Sequence, residues 1–312
     1  MPDLILHQFD LSPFAEKVRR VLGAKDLSWR SVTVPMALPK PDVVALTGGY
    51  RRTPVLQIGA DVYCDTALIC RVIDARYPDP ALYPPHQRGL AEILAQWADA
   101  ALFWMAVPFT SQPVSMPYLF PGASEQFIQA LFADRAAMAP TIRRASLRDG
   151  EAHLQVYLAR IENLLQDGRA YLLGDAMCIA DFSTFHPLWY MHRSPPVARL
   201  LDSFAALGAW YGRMLAMGHG RPVAMSSADA LAVSRGAPGH AAVSVDAACG
   251  FAVGQQVTVT PADYAQDPVS GHLVGLVADE VVVAREDPRA GRVHVHFPRV
   301  GYRVEPVHRA DA

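Results

Sequence analysis

Apolar positions along the chain fall into three successive patterns. Residues 1–80 alternate short apolar runs with amphipathic stretches. LILHQF reads as a strand, Pro13 to about Ala24 as a helix, and WRSVTV as a second strand. PMALPKP is a proline-rich loop and DVVALT a short helix. PVLQIG and DVYC form a hairpin across Gly59-Ala60-Asp61. Thr66 to Arg76 places Leu68, Ile69, Val72 and Ile73 at helical spacing. The order β-α-β-α-β-β-α predicts a small sheet with helices packed on it.

The segment YPDPALYPP is a linker by composition. From residue 86 to about 220 the period turns helical. GLAEILAQWADAALFWMAV reads as one long helix ended by Pro108, and SEQFIQALFADRAAMA as another stopped by Pro140. EAHLQVYLARIENLLQ, CIADFSTFHPLWYM and VARLLDSFAALGAWYGRMLAM complete an all-helical bundle. Beyond about 230 the pattern alternates with period two in QVTVT, HLVGLV, VVVAR, RVHVHF and YRVEPV. Turn signals (DPVSG, EDPRAG, PRVG) separate these runs. They predict a separate small all-β domain over 230–312, an antiparallel barrel or sandwich loosely resembling an SH3-like barrel.

Composition narrows the function classes. Apolar residues are 51% of 312 and charged residues 19%, enough for a large packed interior. A net charge of −2 lacks the basic footprint of a nucleic-acid binder. Cys64, Cys70, Cys178 and Cys249 form neither a CxxC pair nor a zinc spacing, so no metal is expected and a reducing compartment is. The start MPDLILHQFD lacks the basic region of a signal peptide, and no membrane-spanning run is expected. A cytoplasmic location follows as the expectation.

Chemistry concentrates at two junctions. Ser12-Pro13 opens the first helix, which starts SPFAEKVR and reads as basic and amphipathic. Ser12 suits an N-cap with Pro13 at the first helical position. The same hydroxyl, beside a helix N-terminus, also suits a bound thiolate. Lowering a thiol pKa from about 8.5 by two units takes roughly 2.7 kcal/mol. A hydrogen bond to a charged group supplies about 1.5–3 kcal/mol, and a helix terminus about 0.3–1 kcal/mol. No Ser-His-Asp arrangement surrounds Ser12, so it does not read as an acylating nucleophile. At the second junction, Pro54 heads a strand in RRTPVLQIGADVYCDTALI. A cis Thr53-Pro54 bond would turn the Thr53 backbone outward to pair with an extended ligand. Asp65-Thr66 then opens a helix, where free N–H groups and the Thr66 hydroxyl suit a carboxylate and Asp65 suits an ammonium.

These residues resemble the cytosolic glutathione transferases over roughly residues 1–220. SPFAEKVR is similar to the omega-type motif, with Ser12 where that motif carries cysteine. TPVLQ resembles the cis-proline strand, and YCDTALI the acidic-plus-hydroxyl pair. LLGDAMCIADFSTFHPLWYM resembles the helical domain's capping box, with Asp181 as cap and Cys178 where Ser or Thr is usual.

The resemblance implies a thioredoxin-like N-terminal domain (1–80), an all-helical transferase domain (86–220), glutathione as co-substrate and a homodimer. It implies Ser12 as the thiol-contacting residue, Phe14 beside the thiol, and Thr53 with Pro54 pairing the cysteinyl part. Asp65 and Thr66 would hold the γ-glutamyl end, and Lys40 would reach the glycine carboxylate. Arg51 and Arg52 are unplaced. Trp97, Phe103 and Trp104, with Phe109 and Tyr118 beyond, are candidates for a hydrophobic substrate site. The implied function is attack of a glutathione thiolate on a small electrophile. Glutathione-dependent isomerisation, dehalogenation and peroxide reduction stay open. The alternative is a non-catalytic protein of the same fold that uses the β-domain for partners. His294 and His296 share a strand face and read as two solvent-facing histidines or as a metal pair.

Overall fold

The computed structural model describes residues 3–140 and 145–307. The N-terminal part runs β1 (Ile5–Gln8), α1 (Pro13–Ala24), β2 (Ser28–Thr33), α2 (Pro41–Thr47), β3 (Val55–Ile58), β4 (Asp61–Cys64) and α3 (Thr66–Arg76). β1 lies between a parallel β2 and an antiparallel β3, and β4 follows β3 through the expected hairpin. This is the thioredoxin-like arrangement.

The helical part comprises α4 (Arg88–Trp97), α5 (Phe103–Thr110), α6 (Met116–Leu119), α7 (Glu125–Met138), α8 (Leu147–Leu165), α9 (Ile179–His192), α10 (Pro195–Ala198) and α11 (Ala205–Ala216). α4 and α5 are joined by a π-helical turn at Ala98–Leu102, and Pro108 sits inside α5 without ending it. Among the described residues Arg88–Thr110 is long and apolar enough by composition to cross a membrane, as a core helix also can be. Here Ala91, Ala95, Ala98, Leu102 and Ala106 lie in the core shared with α8 and α9.

The buried carboxylate of Asp181 organises this core. It accepts from the backbone N–H groups of Leu172 and Cys178 and from Trp210 Nε1, each at 2.9 Å. The Cys178 thiol lies 3.4 Å away as a further donor, so it supplements the cap by donating to Asp181.

α1 departs from its sequence reading. Glu16, Lys17, Arg19 and Arg20 are all buried, so the helix has no solvated basic face. It is sandwiched between sheet and bundle, and each charge is paired. Glu16 takes Arg19 and Arg20, and Lys17 Nζ donates to Asp99 Oδ2 at 2.6 Å. Asp99 sits on the π-helical turn and also bonds His186 Nε2 at 3.0 Å. The Lys17–Asp99 pair and the bond from Arg20 to the Leu215 carbonyl tie α1 to the bundle and so fix the direction in which its N-terminus points.

The chain then returns to the sheet. β5 (Arg221–Ala224) pairs with β2, and α12 (Ser227–Arg235) packs near α2. β6 (Gln256–Pro261), β7 (Val269–Leu276), β8 (Glu280–Asp287), β9 (Gly291–Pro298) and β10 (Tyr302–Pro306) form an all-β C-terminal region. It is not separate from the first domain. β9 pairs in parallel with β4, giving one ten-stranded sheet in the order β10-β6-β7-β8-β9-β4-β3-β1-β2-β5. Among the described pairings none returns β10 to β9, so an SH3-like closure is not formed by the ladder. Tyr50, Val55, Val62 and Cys64 share one apolar core with Val257, Leu273, Val283, Phe297 and Tyr302. Period-two alternation found these strands, but it carries no information about which edge they join.

The histidine pair lies at this seam and is not solvent-facing. His296 is 1% exposed, donating through Nε2 to Asp61 Oδ1 at 3.0 Å and through Nδ1 to Glu280 Oε1 at 2.7 Å. Burial opposes the charged ring, but the two carboxylates outweigh it and raise the His296 pKa. Burial likewise opposes the Asp61 anion, yet the bonds from His296 and the Ala241 N–H lower its pKa. Among the described residues no group of three or more His, Cys, Asp or Glu is placed to hold a metal ion.

The Asp61–His296 pair sets a pH window. The histidine's contribution is full below its ordinary 6.5 and fades as pH rises through its raised folded value. The aspartate's is full above its ordinary 3.8 and fades as pH falls through its lowered value. His296→Ala leaves Asp61 buried without its partner. It is expected to lower unfolding free energy by roughly 3 kcal/mol near pH 6, with a smaller deficit at pH 9, measured by urea denaturation.

Candidate functional site

A cleft opens where the N-terminus of α1, the β3 entry and the N-terminus of α3 converge beneath the bundle. Ser12 is the N-cap of α1. Its Oγ accepts from the Ala15 N–H at 3.2 Å and donates to the Thr53 carbonyl across a long 3.4 Å. It therefore caps its helix and lines the cleft at once. The Thr53-Pro54 peptide is cis.

Asp65 has φ +75°, a left-handed conformation that a non-glycine residue rarely adopts. Its Oδ1 caps α3 through the Ala67 N–H at 2.9 Å. Its Oδ2 accepts from the Tyr302 hydroxyl at 3.1 Å, and that hydroxyl lies 3.2 Å from the Tyr50 hydroxyl. A residue of the C-terminal region thus orients an acidic side chain in the cleft. Thr66 follows it, buried, at the first position of α3.

Lys40 is 4% exposed and makes no ion pair among the described residues. Its Nζ donates to Thr53 Oγ1 at 3.0 Å and to the Arg51 carbonyl at 3.2 Å. Burial first, and then the nearby Arg135, lower its pKa to about 7. Arg51, unplaced by sequence, pairs with Asp134 of α7. Arg52 pairs with Asp263 of the C-terminal region, and its Nε is buried without a protein acceptor.

Two compartments meet along this cleft. One holds Ser12, Lys40 and an apolar wall that includes Phe103, Trp104 and Tyr190. The other holds Asp65, Thr66, Arg71, Gln96 and Asp99. Phe14 borders both, its ring 4.5 Å from Phe103 and 4.7 Å from His186. Ser12, Phe14, Lys40, Thr53, Pro54, Asp65, Thr66, Phe103 and Trp104 therefore converge on one cleft. Trp97 does not; it packs edge-on against Tyr157 of α8 at 5.3 Å, on the bundle side. Phe109 packs against Gly150 at the α5–α8 contact, and Tyr118 is exposed. Helical spacing alone could not separate these faces.

Sequence reading missed Tyr302, Asp263 and Tyr264, which reach the cleft from over two hundred residues away. It also missed Asp99, whose isolation in the apolar run ADAALF was a usable signal, since an unpaired carboxylate is costly there.

Comparison with known proteins accords with this geometry. Family models for the glutathione S-transferase N-terminal and C-terminal domains match residues 6–81 and 112–217. A GST-like protein from Pseudomonas syringae, known by crystal structure, is 39% identical. The match covers 98% of this chain and 100% of that one, with a TM-score of 0.81. The chain belongs to the glutathione S-transferase family. FtsZ-localized protein A of Caulobacter vibrioides is 26% identical over 223 residues, covering 70% of this chain and 89% of that protein. Pyrimidodiazepine synthase of Drosophila melanogaster is 32% identical over 94 residues, 27% of this chain and 38% of that protein. The family uses glutathione, and the C-terminal β-region lies outside both matched segments.

Lys40 gives the site a pH signature. Protonated Lys40 attracts a ligand carboxylate, and neutral Lys40 does not. A ligand carboxylate that reaches Lys40 is expected to bind roughly tenfold more weakly at about pH 8.5 than at about pH 6.5, and S-methylglutathione, whose sulfur does not ionise, is a probe for it. Lys40→Met should flatten that profile in calorimetric titrations.

Proposed function

We propose that this protein is a glutathione-dependent transferase in which Ser12 steadies the glutathione thiolate for attack on a small, largely apolar electrophile. The observation that carries the reading is the placement of Ser12. It caps a twelve-residue helix, lines an aromatic-walled compartment, and touches the carbonyl of the residue before a cis-proline.

When bound, glutathione supplies a sulfur nucleophile whose lone pair forms a bond to the electrophile while a leaving group or π-electron pair departs. The protein's part is positioning and charge. The Ser12 hydroxyl now donates to Thr53 across 3.4 Å, a weak bond that gives way easily to a thiolate acceptor. The N-terminus of α1 adds a favourable dipole to the same atom. Thr53 offers its backbone to the cysteinyl residue. Thr66, at the first turn of α3, takes the γ-glutamyl carboxylate, and Asp65 takes its ammonium. Lys40 takes the glycine carboxylate, since it lacks an acidic partner among the described residues and keeps a donor free. Phe103 and Trp104 form one wall of the electrophile's compartment. All four cysteines are free, three of them buried, which suits a reducing compartment such as the cytoplasm. A homodimer belongs to this reading.

One observation favours a second reading, a non-catalytic partner-binding protein of the same fold. The relative FtsZ-localized protein A is matched over 89% of its length and is named for where it localises, not for a reaction. An open cleft lined by Ser12 and an unpaired Lys40 supports the transferase instead.

Calorimetry with glutathione, combined with turnover of a generic electrophile, separates the two. Ser12→Ala should leave binding within about threefold while turnover falls by roughly tenfold to a hundredfold, the loss of one charged hydrogen bond. Ser12→Cys should gain glutathione-dependent disulfide reduction, because a mixed disulfide becomes possible at that position. Absence of glutathione binding in the unmodified protein would favour the partner-binding reading.

A further inference from the structure

The two compartments of the cleft share Phe14, Arg52, Thr53 and Tyr264 as wall residues. Phe14, Arg52 and Thr53 belong to the N-terminal transferase module. Tyr264 stands on the loop between β6 and β7, outside both family segments.

This loop is tied down on both sides of the cleft. Toward the sheet, Arg52 donates to the Asp263 carboxylate and to the Tyr264 carbonyl. The Arg52 guanidinium also lies 3.8 Å from the centre of the Tyr264 ring. Toward the bundle, that ring meets Trp104 edge-on at 5.0 Å. The Ala265 N–H donates to the Met138 carbonyl at the end of α7 at 2.6 Å. The segment therefore bridges the cleft where the two compartments meet. Arg52 Nε, buried there without a protein acceptor, is a donor available to a ligand carbonyl.

We propose that Tyr264 closes a neck through which glutathione threads, which makes the C-terminal β-region a working part of the thiol site. This rests on the glutathione reading above. The γ-glutamyl residue lies in the compartment of Asp65 and Thr66, and the sulfur and glycine lie in the compartment of Ser12 and Lys40. The peptide between them passes Phe14, Thr53, Arg52 and Tyr264. A γ-glutamyl peptide is then held on both sides of the ring, whereas a thiol lacking that residue occupies one compartment and never crosses. The neck selects γ-glutamyl thiols and slows their exit. It also fixes the position of Trp104 in the electrophile's wall.

The test compares glutathione with cysteinylglycine, supplied at up to tens of millimolar, on the full-length protein. Trp104, beside the neck, provides a fluorescence signal. Tyr264→Ala is expected to weaken glutathione by about tenfold, mostly through faster dissociation in stopped flow, and to leave cysteinylglycine within about twofold. Tyr264→Phe, which keeps the ring, should match the unmodified protein. If Tyr264→Ala does not fold, Tyr264→Leu keeps apolar bulk without the flat ring and should show the same selective loss. Equal weakening of both thiols, or no change in either, overturns the neck while leaving the glutathione reading standing. Failure of the unmodified protein to bind glutathione removes both.

Discussion

The pairing of β9 with β4 is the constraint on which the rest of this molecule depends. A sheet edge offers unpaired N–H and C=O groups, and here β4 spends that edge on its own chain. The register sets Tyr63 opposite His296 and Asp61 opposite His294, and the buried Asp61–His296–Glu280 chain locks it. A one-residue slip would turn every β9 side chain to the wrong face. With the register set, β10 lies over Tyr50 and Asp65, and the β6–β7 loop reaches Arg52. A region that could have hung from the bundle as an appendage instead shares a core with the N-terminal domain.

The site follows from that constraint and from the burial of α1. Helix α1 carries four charges that could have faced water. Glu16 pairs with Arg19 and Arg20 within the helix, while Lys17 reaches Asp99 of the bundle, Arg19 donates to Gln8 of β1 and Arg20 to the Leu215 carbonyl of α11, so α1 cannot rotate without breaking the Lys17–Asp99 ion pair and these bonds. Breaking one such pair costs about 3–5 kcal/mol. The direction of its N-terminus, and with it the Ser12 hydroxyl, is set by these contacts along the helix, among them Asp99, which itself lines the second compartment. Asp65 is held comparably, capping α3 with one oxygen and anchored by Tyr302 through the other.

Much of the first 220 residues was legible from sequence because their signals are local. Ser12-Pro13, Thr53-Pro54 and Asp65-Thr66 each announce a helix or strand start, and convergence of three such starts in one fold is what a βαβ-type arrangement produces. The strands beyond residue 250 were legible as strands for the same reason. Their docking was not, because alternation reports which side of a strand is apolar and says nothing of its neighbour. Trp97 and Trp104 illustrate the same limit. Both sit on one apolar helical segment, yet the π-helical turn between them shifts the phase, sending Trp104 to the cleft and Trp97 to α8. His296 was misread because its two carboxylate partners, sixteen and two hundred thirty-five residues distant, meet it only in the folded sheet.

The proposed transferase function requires an ionised glutathione sulfur at the start of α1. Thiolate absorbs near the ultraviolet edge where thiol does not, so titrating glutathione bound to the protein against pH reads the sulfur directly. The bound thiol is expected to titrate about two units below the free value of roughly 8.5, returning most of the way in Ser12→Ala. Saturable binding with an unshifted sulfur would contradict it.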